Sequence, residues 1–304
     1  MNVMETNALT KDYGGGRGIF DVSFSVAEGE MLGFAGTNGS GKTTTIRSLL
    51  GFIRPSSGTS SVNGLTSWQH SAQIMKNVGY VPGEIAFPDL PTGIDFLKSQ
   101  ATFRGLRNMD RANELIARLQ FDPSAGLKRM STGMKHKTAI VAALMHDPQI
   151  ILLDEPTTGL DPLMRDAFLD IIKEEHERGK TILMSSHMFG ELETLCDRVA
   201  LISDGHIVSV ADMDAIRNPA EREYKVEFHK AEDYQRFRGE GFRIVRDQPQ
   251  YQQYTVRIES AGEGAKKLLG TLRNYDVRMI AEVPYHLEKY FKTAMAEKEN
   301  ENVQ

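Results

Sequence analysis

The chain has 304 residues, of which 40% are hydrophobic and 25% are charged, and its formal net charge is −5. These proportions are typical of a globular protein long enough for two domains with a sizeable core. The acidic balance excludes a whole-molecule electrostatic footprint for nucleic acid, and the single cysteine, Cys196, excludes an intramolecular disulfide. We expect no secretory signal and no apolar run of the roughly 20 residues that span a bilayer, so any membrane role should go through a partner.

The first predicted elements are a hairpin or small sheet and a buried strand. A glycine-rich turn covers 14–18, and Val22, Phe24 and Val26 then alternate with polar residues as in a half-buried strand. The apolar run at 31–35 predicts a buried strand, and 44–50 has apolar residues at helical spacing.

Between that strand and that helix lies an octapeptide that fits G-x-x-x-x-G-K-[ST], the phosphate-cradling loop of nucleotide hydrolases. A strand, a glycine loop and a helix are the setting that this motif requires, which argues against a chance match. The octapeptide consists of Gly36, Thr37, Asn38, Gly39, Ser40, Gly41, Lys42 and Thr43, and Thr44 follows it.

The residue types of this loop suit a nucleoside triphosphate that carries Mg²⁺. Its glycines allow successive backbone N–H groups to turn inward around an anion, and the helix dipole adds to the site. Lys42 is placed to reach the terminal phosphates, and the hydroxyl of Thr43 is placed to bind the metal.

Helical patterns dominate from 91 to 145, and a polar turn with Ser131 and Gly133 precedes a strongly apolar helix. The apolar run 150–153 then predicts a central parallel strand that delivers Asp154 and Glu155 to its carboxyl end. Asp154 is suited to hold Mg²⁺, and Glu155 to accept a proton from an attacking water. Adjacent acids can also cap a loop, but their place downstream of a phosphate loop favours the catalytic interpretation.

Two further polar positions follow these acids. A short turn at 158–161 ends in Asp161, and His187 comes directly after another apolar strand. A lone histidine is more often structural, and only its position in this series indicates that it contacts the γ-phosphate and orients the water.

Together, these motifs resemble the nucleotide-binding subunit of an ABC transporter over residues 1 to about 215. The turn at 130–134 stands where the family has Leu-Ser-Gly-Gly-Gln, and its variant resembles the ATPases of multidrug, peptide-antibiotic and ABC-2-type exporters. The resemblance implies an α/β fold: a P-loop NTPase of ABC type with a mixed-sheet core and a helical subdomain. The expected domain covers 1–217, with the helical part at about 88–147.

Ligands and partners also follow from the resemblance. ATP and Mg²⁺ are the implied ligands, and Tyr13 is the implied adenine-stacking residue, with a Tyr13 that is only a core residue as the alternative. The phosphate loop of one copy would face Ser131 and Gly133 of another in a head-to-tail homo- or heterodimer, and Asp161 is a further implied nucleotide-binding residue. The partner would be a membrane-spanning permease, with this chain peripheral on the cytoplasmic face, and export is favoured.

Two positions depart from the family pattern. After Tyr80-Val81-Pro82, the family carries a Gln that touches Mg²⁺, whereas this chain has Gly83 and then Glu84. We therefore consider Glu84 a candidate metal ligand, with a water as the alternative. Thr132 replaces a glycine and is expected to crowd the phosphate slightly.

The remaining residues, 218–304, predict the order β-α-β-β-α-β of a small α+β ferredoxin-like domain. An amphipathic helix with Tyr290 and Phe291 follows, and a disordered tail is expected from Glu297. This part is either a regulatory or docking module, or an accessory domain whose aromatic residues complete its own core.

The sequence therefore predicts an ATPase subunit that energises a separate permease. Two alternatives remain: a soluble ATPase of the same superfamily that acts on DNA ends or ribosomes, and a non-enzymatic ATP sensor in which Glu155 is idle. A long coiled-coil insertion would favour DNA repair, but only ordinary helical residues occupy 91–129.

Overall fold

A computed structural model describes residues 1–259 and 263–301. Met213–Thr293 forms one compact unit, and the rest of the described chain forms another. This division falls five residues before the predicted boundary at 217/218. Within the described residues, no helix combines the length and the apolar character that crossing a bilayer requires.

The first sheet of the larger unit is antiparallel and has the order β2-β1-β4-β5. Its first two strands form the hairpin that the glycine-rich turn and the alternating pattern predict, with Val22 and Val26 fully buried. The strands are β1 (Asn2–Asp12), β2 (Gly18–Ala27), β4 (Ser57–Val62) and β5 (Leu65–Thr66).

The second sheet has six strands in the order β10-β9-β3-β8-β7-β6, parallel except for β10 at one edge. Its three central strands, β3, β8 and β7, are buried along their whole length, as expected for apolar runs covered on both faces. The strands are β3 (Met31–Ala35), β6 (Val78–Val81), β7 (Ile150–Asp154), β8 (Thr181–Ser186), β9 (Arg198–Ser203) and β10 (His206–Asp212).

Seven α-helices lie between residues 1 and 212: α1 (Lys42–Leu49), α2 (Ser67–Asn77), α3 (Gly93–Phe103), α4 (Asp110–Leu119), α5 (Thr132–Leu144), α6 (Pro162–Glu177) and α7 (Phe189–Leu195). Helices α3 to α5 lie within the predicted helical subdomain. Side chains cap α5 and α6 at their first turns, since Ser131 accepts the N–H of Met134 and Asp161 accepts that of Met164.

The smaller unit has the strand order β12-β13-β11-β14, all antiparallel, with two helices in the connections. This is the β-α-β-β-α-β arrangement that the sequence predicts. Its core is rich in aromatic residues, and the ring centroids of the stacked Tyr234 and Tyr254 side chains lie 4.4 Å apart. The elements are α8 (Met213–Arg217), β11 (Glu221–Phe228), α9 (Ala231–Phe237), β12 (Arg243–Gln248), β13 (Gln253–Glu259), α10 (Glu263–Leu272) and β14 (Val277–Val283).

The last helix, α11 (Leu287–Glu301), corrects the expected disordered tail. It continues past Glu297, because the polar residues there include glutamates and a lysine, which are good helix formers. The end of the predicted tail, 302–304, lies outside the described residues. Tyr290 and Phe291 are half-buried, and their role stays a prediction.

A half-buried histidine after α5, His146, predicts acid sensitivity of the fold. Burial, together with the charge of Arg104, lowers the pKa of His146 to about 4. The unfolded chain binds a proton at this residue below about pH 6.5, so stability is lost as the pH falls from there towards the folded pKa. Replacing His146 by Gln should remove this contribution, and from about pH 7.5 to about pH 4.5 the variant should gain on the order of 1–2 kcal/mol relative to the unmodified chain.

Urea unfolding at a series of pH values measures this difference. A stability gap between the two proteins that stays constant over the same pH range would contradict the prediction.

Candidate active site

The phosphate loop joins the end of β3 to the start of α1, and two of its glycines are required by its shape. A Cβ atom on Gly36 would lie 2.4 Å from the carbonyl oxygen of Ile202 and 2.6 Å from the hydroxyl of Ser40. Gly41 precedes the helix with φ at 112°, a conformation that other residues rarely adopt. The loop thus lies between a strand and a helix, as the motif predicts.

Lys42 is held inside this loop by its own backbone. Its Nζ donates to the carbonyl oxygens of Gly36 at 2.8 Å and Thr37 at 3.1 Å. The same ammonium lies 3.1 Å from Oε1 of Glu155, at the end of β7. The loop and the second acid thus meet at one buried positive charge.

Asp154 is fully buried at the end of β7, and Ser185 on the neighbouring strand donates to its Oδ1 at 2.8 Å. Burial raises the pKa of Asp154, and the hydroxyls of Ser185 and Thr43 partly oppose that shift. Its other oxygen, Oδ2, is buried without a hydrogen-bond partner among the described atoms. A buried carboxylate oxygen beside a threonine hydroxyl provides ligands that Mg²⁺ prefers, so these residues fit the ion.

Glu155 adopts a backbone conformation that is uncommon for a residue with a side chain, with φ at 50°. Its N–H donates to the carbonyl oxygen of Ser185 at 3.2 Å and to the Ser185 hydroxyl at 3.0 Å. Oε2 of Glu155 lies 2.6 Å from Nδ1 of His187. Strain of this kind is concentrated at functional sites, and here it places one carboxylate between Lys42 and an imidazole.

A cavity of about 490 Å³ opens beside the loop. Tyr13 borders it and is 51% exposed, so the alternative of a core Tyr13 is wrong. The predicted residues that line the cavity are Tyr13, Asn38, Gly39, Gly41, Lys42, Thr43, Thr44 and Glu155.

Sequence reasoning missed five further lining residues, namely Gly16, Arg17, Gly18, Asp204 and Gly205. Their sequence signal was present only as two turns, one directly after Tyr13 and one at the end of β9. Neither turn has a motif that links it to a phosphate loop, and only the folded sheet brings them to the cavity.

The other predicted site residues do not line this cavity: they are Gly36, Thr37, Ser40, Glu84, Asp154, His187, Ser131, Gly133 and Asp161. Ser131 and Asp161 are exposed helix caps. The two turns that carry them pack against each other, since a Cβ on Gly133 would lie 2.8 Å from the carbonyl oxygen of Gly159. Their contact with nucleotide stays a prediction that needs a second copy of the chain.

The structure also shows the surroundings of Gly83 and Glu84, where the sequence departs from the family pattern. Gly83 adjoins Asp154, where an added Cβ would lie 3.4 Å from Oδ2, whereas the side chain of Glu84 is exposed. This geometry supports the water alternative over Glu84 as a metal ligand. The methyl group of Thr132 lies next to Gly159, and its expected crowding of a phosphate stays a prediction.

A phosphate loop, a buried aspartate that fits Mg²⁺ and a glutamate beside a histidine are typical of nucleotide-hydrolysing P-loop proteins. Comparison with known proteins identifies the family within this class. The family described as ABC transporter matches residues 19–158. Bacitracin transport ATP-binding protein BcrA of Bacillus licheniformis is 34% identical over 221 residues, which are 71% of each chain.

Two further similarities extend this result. The uncharacterized ABC transporter ATP-binding protein YdbJ of Bacillus subtilis is 31% identical over 289 residues, or 93% of this chain and 91% of that protein. A solved ATP-binding subunit of an ABC transporter is 30% identical with a TM-score of 0.65, covering 71% of this chain and 92% of that one.

The chain belongs to the ATP-binding proteins of ABC transporters. The predicted fold class, the ATPase class and the ligands ATP and Mg²⁺ are thereby confirmed. The roles of individual residues stay predictions.

Ser185 allows the predicted Mg²⁺ site to be tested. Its hydroxyl donates to the carboxylate of Asp154 and accepts the backbone N–H of Glu155. Replacing it by Ala removes a donor to Asp154 and an acceptor for Glu155, so the Mg²⁺ concentration for half-maximal ATPase activity should rise about tenfold. Binding of metal-free ATP should change less than about twofold. Ser60→Ala is the matched control, since this buried serine makes a single hydrogen bond to the Ser48 carbonyl oxygen. An unchanged Mg²⁺ dependence in Ser185→Ala would show that the acids are oriented without it.

Proposed function

We propose that this ATPase subunit drives export through a separate permease, at the cytoplasmic face of the membrane. The observation that carries the proposed reaction centre is the position of Glu155, which contacts Lys42 through one oxygen and approaches His187 with the other. The similarity to a bacitracin transport protein and the exporter-type turn at 130–134 support the direction.

Each residue of this centre has a chemical task. Glu155 accepts a proton from the water that attacks the terminal phosphorus atom. His187, which lies against this carboxylate, donates to the γ-phosphate and orients the water. Lys42 holds positive charge where the loop binds the terminal phosphates. Thr43 and Asp154 would hold the magnesium ion, which when bound neutralises charge on the phosphates.

The site is proposed to be completed by a second ATPase subunit. Ser131 and Asp161 are exposed and lie outside the lining of the cavity beside Lys42. Two chains placed head to tail would bring the Ser131 turn of each to the phosphate loop of the other. ATP bound at this seam would hold the pair together, and hydrolysis would release it.

The alternative of a DNA-repair ATPase has less support. The segment between the phosphate loop and the Ser131 turn contains α3 with 11 residues and α4 with 10 residues. Helices of this length do not make a long coiled coil.

Glu155→Gln tests the proposed base. The amide keeps the size of the side chain but accepts a proton poorly, so kcat should fall by at least about 100-fold while ATP binding is retained. With hydrolysis blocked, Mg-ATP should accumulate a dimer in gel filtration. Lys42→Ala should instead weaken ATP binding itself, because the charge facing the phosphates is lost.

The control for these variants is Glu177→Gln, which changes an exposed glutamate at the end of α6. A phosphate-release assay that finds normal turnover in Glu155→Gln would refute the base assignment. The alternative of a non-enzymatic ATP sensor is not retained, because the chain belongs to a family of ATPases.

Glu84→Ala tests the remaining metal-ligand hypothesis. Since Glu84 is exposed and Gly83 adjoins Asp154, we expect ATPase activity and its Mg²⁺ dependence to stay within about twofold of the unmodified chain. A large loss of Mg²⁺ affinity in Glu84→Ala, comparable with that of Asp154→Asn, would restore Glu84 as a ligand.

A further inference from the structure

Glu191, on the short helix α7, is a buried acid that the proposed reaction does not use. It is 5% exposed and does not line the nucleotide cavity. A buried carboxylate is costly unless it is hydrogen-bonded, so its partners indicate why it is present.

Both partners of Glu191 are side-chain hydroxyls on the two loops that carry the reaction centre. Oε2 accepts from Oγ1 of Thr157 at 3.1 Å and from Oγ of Ser186 at 3.0 Å. Thr157 follows Glu155 by two residues, and Ser186 directly precedes His187. Both hydroxyl residues are buried, so water does not compete for these bonds.

A second contact fixes the histidine loop at the same point. The N–H of Met188 donates to Oγ of Ser186 at 2.9 Å, so the Ser186 hydroxyl holds the chain on both sides of His187. One carboxylate oxygen thereby ties the histidine loop to the loop that begins at Glu155. The separation of 2.6 Å between Nδ1 of His187 and Oε2 of Glu155 depends on the relative position of these loops.

We propose that Glu191 is a positioning residue for ATP hydrolysis, which holds His187 against Glu155 through the hydroxyls of Thr157 and Ser186. This inference rests on the proposed roles of Glu155 and His187. Packing alone does not account for Glu191, because a leucine would fill the space without burying a polar group. Its second oxygen, Oε1, is buried with no hydrogen-bond partner among the described atoms, an arrangement that costs stability.

Two substitutions distinguish the hydrogen-bond acceptor of the Glu191 side chain from the space that this side chain fills. Glu191→Leu fills the space but accepts no hydrogen bond, so kcat should fall about tenfold or more while KM for ATP stays within about twofold. Glu191→Gln keeps an amide oxygen that can accept from both hydroxyls, so kcat should stay within about threefold of the unmodified chain. Glu177→Leu is the control for replacing an acid by leucine on an exposed helix face.

A double substitution distinguishes positioning from a general structural role. In the His187→Ala background, adding Glu191→Leu should lower kcat by less than about twofold, because there is no imidazole left to position. A structural role would give losses that multiply. If Glu191→Leu does not fold, Thr157→Val and Ser186→Ala each remove one donor and leave Glu191 in place, and each should lower kcat at unchanged KM.

The outcomes separate this inference from the proposed function. If His187→Ala and Glu155→Gln retain normal kcat, the proposed reaction centre fails. If they lose activity but Glu191→Leu, or both hydroxyl variants, keep normal kcat, only the positioning role is overturned. Equal losses in Glu191→Gln and Glu191→Leu, or losses that multiply with His187→Ala, overturn it as well.

Discussion

The register of three parallel strands is the constraint on which the site depends. Ala35 at the end of β3 pairs with Ser186 on β8, and Asp154 at the end of β7 pairs with Ser185. Because parallel strands end at the same edge of a sheet, the phosphate loop, the two acids and the histidine loop all start there. A shift of one residue in either pairing would turn the side chains to the other face and separate these groups.

The groups at this edge are arranged at a cost to stability. Asp154 is a fully buried acid, Glu155 has a strained backbone, and Glu191 leaves one buried oxygen without a partner. Each feature costs free energy of about 1–3 kcal/mol by general estimates. The apolar strands around them supply the burial that offsets this cost, which explains why β3, β7 and β8 have no exposed residue.

Sequence reasoning identified those parts of the site whose chemistry is contained in a short stretch of chain. Gly36 to Thr43 form one continuous loop between a strand and a helix, and Asp154 and Glu155 follow a recognisable strand. Arg17, Asp204 and Glu191 were not found, because no local sequence pattern links them to the phosphate loop or to the two acids. The helix end beyond Glu297 was missed for a different reason: polar composition indicates disorder and an exposed helix equally well.

The packing of the Ser131 turn on the Gly159 turn links these observations to a two-chain mechanism. Gly159 has φ at 78°, and a Cβ atom added to it would lie 2.9 Å from the methyl group of Thr132. The close packing of the two turns therefore requires glycine at this position. The Gly159 turn belongs to the loop that starts at Glu155 and contains Thr157. A subunit that contacts the Ser131 turn therefore contacts a surface connected, through Thr157 and Glu191, to His187. In this arrangement, docking of a second ATPase would change the position of His187 relative to Glu155 without contacting Glu155.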